Sequence, residues 1–429
     1  MDTSQRTRSC RRNQPTTTTS QSRGAQQICL PLDRETYLQI WDDAQAVRTL
    51  VEDLVIQHPE LFPKAMTRGF TLCGKLPPSK KLAGVCLRRV RVTETNENGR
   101  STTKDFFLRP SFVLPYCCGT VEDVEKGMLL LSYDVPYHVV QYCFGHNAMF
   151  WYRLNQSLGR NSLVGTTVRD PQALPQHLAA DEHHAQLRGE DTYVAMTAGG
   201  GCVLGMALSN SASEVDLTAA YGRFRDEAVA VSAEYAPETV NTDGWKATQA
   251  AWRTLFPKVA LILCFLHGFL KIRDRCRKAF ELHGKIWEVY QAPSAQAFRE
   301  KMESLREWCE ARWKSGPIHE ALVKLWSRTE EYVHSYSHPG CHRTSNQVDR
   351  PMNALYRLLY ANRTLHGHLD TAESRLRGWA LLMNFRPFEP QTQRRTGSQS
   401  AAHRLNKRTY HANWLENLYI SASLGGVRA

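Results

Sequence analysis

No stretch of this 429-residue sequence is apolar over the roughly 18 positions that a bilayer-crossing helix requires. Its first residues lack the charged-then-apolar pattern of a secretory leader. None of its 12 cysteines forms a Cys-x-x-Cys pair, which argues against a structural zinc site of the paired-knuckle kind. These absences lead us to expect a cytoplasmic chain with reduced thiols and no membrane contact, nucleoid-associated in a bacterium or nuclear in a eukaryote. Acids are also in short supply: 42 Asp and Glu stand against 54 Lys and Arg, a formal net charge of +12. Such an excess usually serves a polyanionic partner, most often nucleic acid, the plainer alternative being a basic soluble surface. Hydrophobic residues make up 42% of the chain, enough for substantial cores, and the length suits two or three domains.

Residues 1–28 are rich in Thr, Ser, Gln and Arg and have little to bury, so they read as a disordered basic arm. Residues 29–112 read as a mixed α/β module. A helix is expected over 37–58, with Leu38, Trp41, Val47, Leu50, Val51, Leu54 and Val55 on one stripe. Strands are expected over 85–92 and 104–108, around a turn at 96–99. They carry Arg88, Arg89, Arg91 and Lys104, either a DNA-facing surface or a solvated basic face.

Residues 113–170 read as a helix-turn-helix region. Thr120, with Asp123 three residues on, can cap a helix running to about 131. A break at 133–136 precedes a short helix over 137–144. Gly145 suits a tight turn, and Asn147 can cap a third helix to about 158. Helix, short glycine turn, helix is the spacing of a helix-turn-helix. On the third helix, Arg153, Asn155 and Gln156 are the candidates for DNA contact, while Met149, Trp151 and Leu154 are expected to face the core. Residues 166–177 read as a linker.

From 178 onward the pattern becomes strand, strand, strand, helix, strand, helix, strand: 178–185, 192–197, 202–209, 214–231, 239–242, 246–255 and 259–264. Three antiparallel strands followed by alternating helix and strand is a ribonuclease-H-like arrangement of the α/β class. Asp181 falls within the first strand and Asp243 at the C-terminal end of the fourth, which are neighbours in that fold. Asp191, at the start of the second strand, is the alternative to Asp181. Shared carboxylates suit hard divalent cations held roughly 3.5–4 Å apart, an arrangement that serves phosphodiester displacement.

The run Thr242-Asp243-Gly244, a helix, then Cys264-Phe265-Leu266-His267 resembles the second-acid block of Mutator-like and related insertion-sequence transposases. Thr344-Ser345-Asn346-Gln347-Val348-Asp349-Arg350 resembles their third block, Thr-x-Asn-x-x-Glu-Arg. The likeness covers roughly residues 115–390. It implies a DNA transposase whose catalytic and metal-binding residues are Asp181, Asp243 and Asp349, using Mg²⁺ or Mn²⁺. It also implies double-stranded DNA as substrate, both as transposon ends and as target, and a homodimer or larger assembly on it. Water would cleave at the element's end, and the freed 3′-hydroxyl would then attack target DNA. Asn346, Cys264, His267 and Arg350 would support the site. The third acid is usually Glu in that family, and Asp349 is shorter by about one C–C bond, so its helix must lie closer. A transposase-derived DNA-binding protein that no longer cuts is the alternative.

Asn346, Asp349 and Asn353 share one face of a helix. Residues 265–335 read as an all-helical insertion between catalytic segments 171–264 and 336–388. Its Lys271, Arg273 and Arg275 follow His267 and are candidates for DNA phosphates. His338, Cys341 and His342 form a second potential metal cluster, in a loop. A helix over 376–385 closes the core, and residues 389–429 read as a basic C-terminal tail, its polar stretch 389–410 free to contact DNA.

Overall fold

The computed structural model describes residues 26–427 except 83, 96–99 and 278. Most of the basic arm and the 96–99 turn therefore lie outside the described residues. No helix among the described residues is long and apolar enough to cross a membrane.

The N-terminal part begins with β1 (Gln27–Leu30), then α1 (Arg34–Ile40) and α2 (Ala44–Gln57). The single helix expected over 37–58 is thus two. Asp43 turns its carboxylate onto the Gln45 and Ala46 amides and starts α2 afresh. Trp41 sits in the break with its indole donating to the Cys86 carbonyl, while Leu38 is 71% exposed. Strands β2 (Thr71–Lys75), β3 (Arg88–Thr95) and β4 (Ser101–Pro110) complete a sheet of order β1-β4-β3-β2. The expected basic face is largely spent within the protein. Arg88 is buried and donates to the Trp41 carbonyl, Arg89 and Arg91 pair with Asp105, and Lys104 pairs with Glu94.

Three helices follow: α3 (Val121–Ser132), α4 (Tyr137–Phe144) and α5 (Ala148–Leu158). Their ends are set by local chemistry. Thr120 and Asp123 close a reciprocal capping box, and Asn147 accepts from the Phe150 amide. Gly145 takes φ +70° in the turn between α4 and α5. Helix α6 (Leu163–Thr167) is buried, because apolar Leu163, Val164 and Val168 all pack inward, and it takes in the first two residues of the linker expected over 166–177.

The second sheet is formed by β5 (His177–Leu187), β6 (Glu190–Gly199), β7 (Cys202–Ser209), β8 (Thr239–Thr242) and β9 (Ala260–Leu263), with α7 (Glu214–Val231) and α8 (Lys246–Leu255) between the last strands. Its order is β7-β6-β5-β8-β9; the first three strands are antiparallel, and β8 runs parallel to both β5 and β9. Side chains alternate along a strand. Leu178 and Ala180 of β5 join the core beneath α7 and α8, while Ala179, Ala185 and Leu187 join the opposite core. Asp181 shares the second face, and Glu182 the first.

Helices α9 (Phe265–Arg275), α10 (Phe280–Tyr290), α11 (Ala295–Glu310), α12 (Pro317–Trp326) and α13 (Thr329–Val333) form the expected insertion and enclose a core of their own. The chain returns through α14 (Asn346–Ala361), which packs on β5 and β6, and α15 (Leu369–Phe385), which packs on α5 and β7. The α5–α15 contact is close: a Cβ on Gly378 would lie 2.2 Å from the Asn155 carbonyl oxygen.

The C-terminal segment is not a free tail. It folds into α16 (Pro390–Thr396), α17 (Ala401–Asn406) and α18 (Trp414–Ser421). Trp414, Leu415, Leu418, Tyr419 and Ile420 are buried, and α18 packs against β1, α3, α6 and α15. Arg169 reinforces the closure, lying 3.6 Å over the Tyr410 ring and donating to Asn417 Oδ1 and the Arg408 carbonyl. The basic stretch that suggested a DNA-contacting tail is followed by the apolar run Trp414 to Ile420, which docks the segment. One continuous core therefore joins the N-terminal sheet, α3–α5, α14–α15 and α18.

Candidate functional site

Asp181, His267 and Asp349 meet at one point. Each can offer a ligand atom such that all lie within 4.8 Å of one another, and among the described residues this is the one group of three metal-ligating types so placed. The three come from distant segments: the middle of β5, the first turn of α9 and the first turn of α14. The shortness of Asp349 is accommodated, since α14 lies against β5 and brings the carboxylate within reach.

Ser345 organises the group. Its hydroxyl donates to Asp349 Oδ2 at 2.8 Å and stands 3.5 Å from His267 Nδ1. Its amide and hydroxyl each lie 3.2 Å from Cys264 Sγ. The support expected of Asn346 is thus supplied by its neighbour, and Asn346 and Arg350 are exposed. Ser345 precedes α14 but makes no side-chain cap there, so the helix-start preference of serine did not mark this role. Cys264 is buried and acts on His267 rather than standing as a separate ligand. The hydrogen bond to Cys264, with the charges of Cys264, Asp181 and Asp349 behind it, outweighs burial and raises His267 to about 9. Burial pushes the Cys264 thiol up, yet the partnership with His267 outweighs it and holds the thiol below its ordinary value.

Asp243 stands beside this group rather than within it. Its Oδ1 accepts from the Trp245 amide at 2.8 Å, in the turn that leads into α8. Gly244 takes φ +89° there, and a Cβ at that position would meet the Arg328 guanidinium at 2.5 Å and Leu263 at 2.6 Å, so glycine is required. Asp243, Cys264 and His267 line a cleft of about 100 Å³ together with Lys271, Arg275, Lys324 and Arg328. Lys271 and Arg275 face it from one side of α9, whereas Arg273 lies on another face and bonds Asp274. Sequence reading missed Lys324 and Arg328, because a basic residue in a helical insertion carries no mark of the site it will face.

The other candidates divide. Asp191 is exposed and pairs with His184, so Asp181 is the acid at the site. In the loop cluster, His338 pairs with Glu238 and Cys341 bonds the Ser335 carbonyl, which leaves no joint metal site there among the described residues. On α5, Arg153 and Gln156 line a groove of about 420 Å³ with Lys81, Arg160 and Tyr116. Asn155 does not: it is 5% exposed, faces α15 and donates to the Tyr137 hydroxyl. Met149, expected inside, is 50% exposed. Trp151 and Leu154 are buried as expected; the buried face, where α15 packs, runs through Trp151, Leu154, Asn155 and Leu158 and leaves Met149 outside it.

A second acid lies behind Asp181. Glu182 points to the opposite side of β5, where its carboxylate accepts from the Tyr221 and Thr248 hydroxyls and ties α7 and α8 to the strand. Burial raises it to about 7 and raises Asp181 to about 6. The Asp181 shift sets a pH dependence. The unfolded chain releases this proton near 3.8 and the folded chain near 6. Over that window the unfolded state binds fewer protons, so stability falls as pH rises and stays lowered above it. In chelator, Asp181→Asn is therefore expected to be more stable than the parent by on the order of 2–3 kcal/mol above about pH 6, and near parity below about pH 4. Urea denaturation across that range checks this; a difference that does not vary with pH refutes it.

No family model matches the chain, and no curated protein matches it.

Proposed function

We propose that this chain is a divalent-metal-dependent DNA transposase on a ribonuclease-H-like fold, which cleaves element ends and joins them to target DNA. The observation that carries the reading is the convergence of Asp181 and Asp349 with His267, at the edge of a cleft holding Asp243 and four cations. The sheet order β7-β6-β5-β8-β9, with Asp181 on the central strand and Asp243 following its parallel neighbour, supports the fold assignment.

The donor set fits a divalent cation. Carboxylate oxygens suit Mg²⁺ or Mn²⁺; His267, raised to about 9 without an ion, would ligate Mn²⁺ only by giving up that proton. At Asp181, burial outweighs the Glu182 amide and the His267 charge and leaves the carboxyl raised to about 6, a cost that a bound cation would relieve. Asp181 and Asp349 would hold the ion, with His267 beside them and Asp243 available from the cleft wall. When bound, the cation lowers the pKa of a water nucleophile and neutralises charge at the phosphoryl oxygens. Lys271, Arg275, Lys324 and Arg328 hold the flanking phosphates by charge and orient the strand toward the acids. Ser345 keeps the Asp349 carboxylate in place, and the Cys264–His267 pair fixes the imidazole. The α4–α5 pair supplies a helix-turn-helix, with Arg153 and Gln156 against the duplex. Two DNA ends call for a dimer or larger assembly.

A DNA-binding derivative that does not cut is the second reading, favoured by the position of Asp243 outside the three-donor group. Labelled DNA carrying the sequences that flank the gene decides between them. With Mg²⁺ or Mn²⁺ the parent is expected to nick one end and then join it to a second duplex; with chelator it should only bind. Asp243→Asn should bind with affinity within about two-fold of the parent and cleave at least about 100-fold more slowly. Absence of any metal-dependent nick or joined product rejects the enzyme.

A further inference from the structure

Both β5 and α14 run on past the acids. Asp349, Asn353, Tyr356 and Tyr360 follow one another at four, three and four residues, which places them on one face of α14. Beyond the acids that face widens into a cavity of about 330 Å³ lined by His183, His184, Tyr356, Leu359, Tyr360 and Arg363. Its character changes along the way. The two tyrosines are 57% and 79% exposed, unusual for large rings beside a buried core, and their rings stack at 6.4 Å with 25° between planes. His183 meets Tyr356 edge-on at 5.9 Å. No acidic side chain is among the residues that line the cavity, and Asp191 is paired with His184 of its wall. Arg363 and Thr364 close it with positive φ, at 51° and 78°, which turns the chain off the end of α14 and sets the Arg363 side chain at the rim.

We infer that this cavity binds an unpaired base of the DNA strand being cut, stacked on Tyr356 and Tyr360, with a neighbouring phosphate held by Arg363. The inference rests on the strand-cleaving reading above and specifies the form of its substrate. Exposed aromatic faces next to a cation, with no competing acid, are the means by which proteins hold unstacked bases. A duplex offers no free base face, so rings that merely lined a duplex track would gain little from being displayed. The spacing agrees. His183 lies ~7 Å along β5 from Asp181, and Tyr356 lies ~10 Å along α14 from Asp349. At ~3.4 Å per nucleotide along a stacked strand, the platform stands two to three nucleotides from the acids.

The test uses the full chain in Ca²⁺, to avoid cleavage, with two end-sequence duplexes: one fully paired, the other bearing a single unpaired 2-aminopurine moved stepwise past the cut position. The parent is expected to quench the fluorophore and bind the unpaired probe more tightly than the paired one when the base lies about two or three nucleotides from the cut. Tyr356→Ala/Tyr360→Ala should lose the quenching and about five- to 100-fold of affinity for that probe, with affinity for the paired duplex held within about two-fold. Tyr356→Phe/Tyr360→Phe, which keeps both rings, should behave as the parent. A parent that binds both duplexes equally overturns this inference and leaves the transposase reading intact. So does an alanine variant that weakens both probes alike. A parent that binds neither duplex overturns both.

Discussion

Replacing Asp349 by Asn is expected to leave DNA binding within about two-fold of the parent and to slow strand cleavage by about 1,000-fold or more. Asn keeps the size of the side chain and can still accept from Ser345, so α14 should stay on β5. What it removes is the negative charge that Asp349 brings against Asp181 and His267, within 4.8 Å. A carboxylate used to hold a cation has no neutral substitute, because amide oxygens bind hard ions far more weakly. The lengthened variant, Asp349→Glu, sharpens the reading. It restores the acid typical of the family that the motif resembles, but adds a methylene to a site fitted to the shorter side chain by the 2.8 Å bond from Ser345. Partial activity, about ten-fold below the parent, is expected. Single-turnover cleavage of labelled end DNA measures both. If Asp349→Asn cuts at the parental rate, the acid has no part in the chemistry.

The second large effect concerns stability. Arg377→Ala should destabilise the chain by about 3–5 kcal/mol, the range for breaking a buried ion pair. Arg377 is among the largest fully buried side chains. Its guanidinium donates to the Gly159 and Asn161 carbonyls and to Glu227 Oε1. Glu227 in turn uses Oε2 to accept from the Ser162 hydroxyl and the Leu163 and Val164 amides, satisfying the exposed donors at the start of α6. Removing Arg377 leaves the Gly159 and Asn161 carbonyls without this donor and takes from Glu227 its nearest cation, Arg223 remaining at 3.9 Å. It also loosens α6 against α7 and α15, elements on both sides of the β5–β9 sheet. The urea midpoint and its slope report the loss, and Arg377→Lys, which keeps the charge but cannot form the three-way fork, should recover only part of it. A midpoint unchanged by Arg377→Ala would show that the network contributes nothing net.

Residues a few positions apart determined a good deal of this protein. The ends of α3 and α5 follow from Thr120, Asp123 and Asn147, because a cap acts on amides two or three residues away. The bounds of β7, α7, β8 and α8 follow from periodicity and from the glycines and serines that interrupt it. Asp243 is legible from Gly244 and the Cys264-x-x-His267 that follows, and Asp349 from Asn346 and Arg350 around it. Tertiary packing decided what these elements meet, since no local rule states which face of a helix will find a neighbour. It turned Asn155 inward against α15, neutralised the arginines of β3 with Asp105, and buried α18 where the charge pattern suggested a free tail. It also joined His267 rather than Asp243 to Asp181 and Asp349, with Ser345 between them. Hydrogen bonding and periodicity act along the chain, whereas the site exists only where β5, α9 and α14 cross.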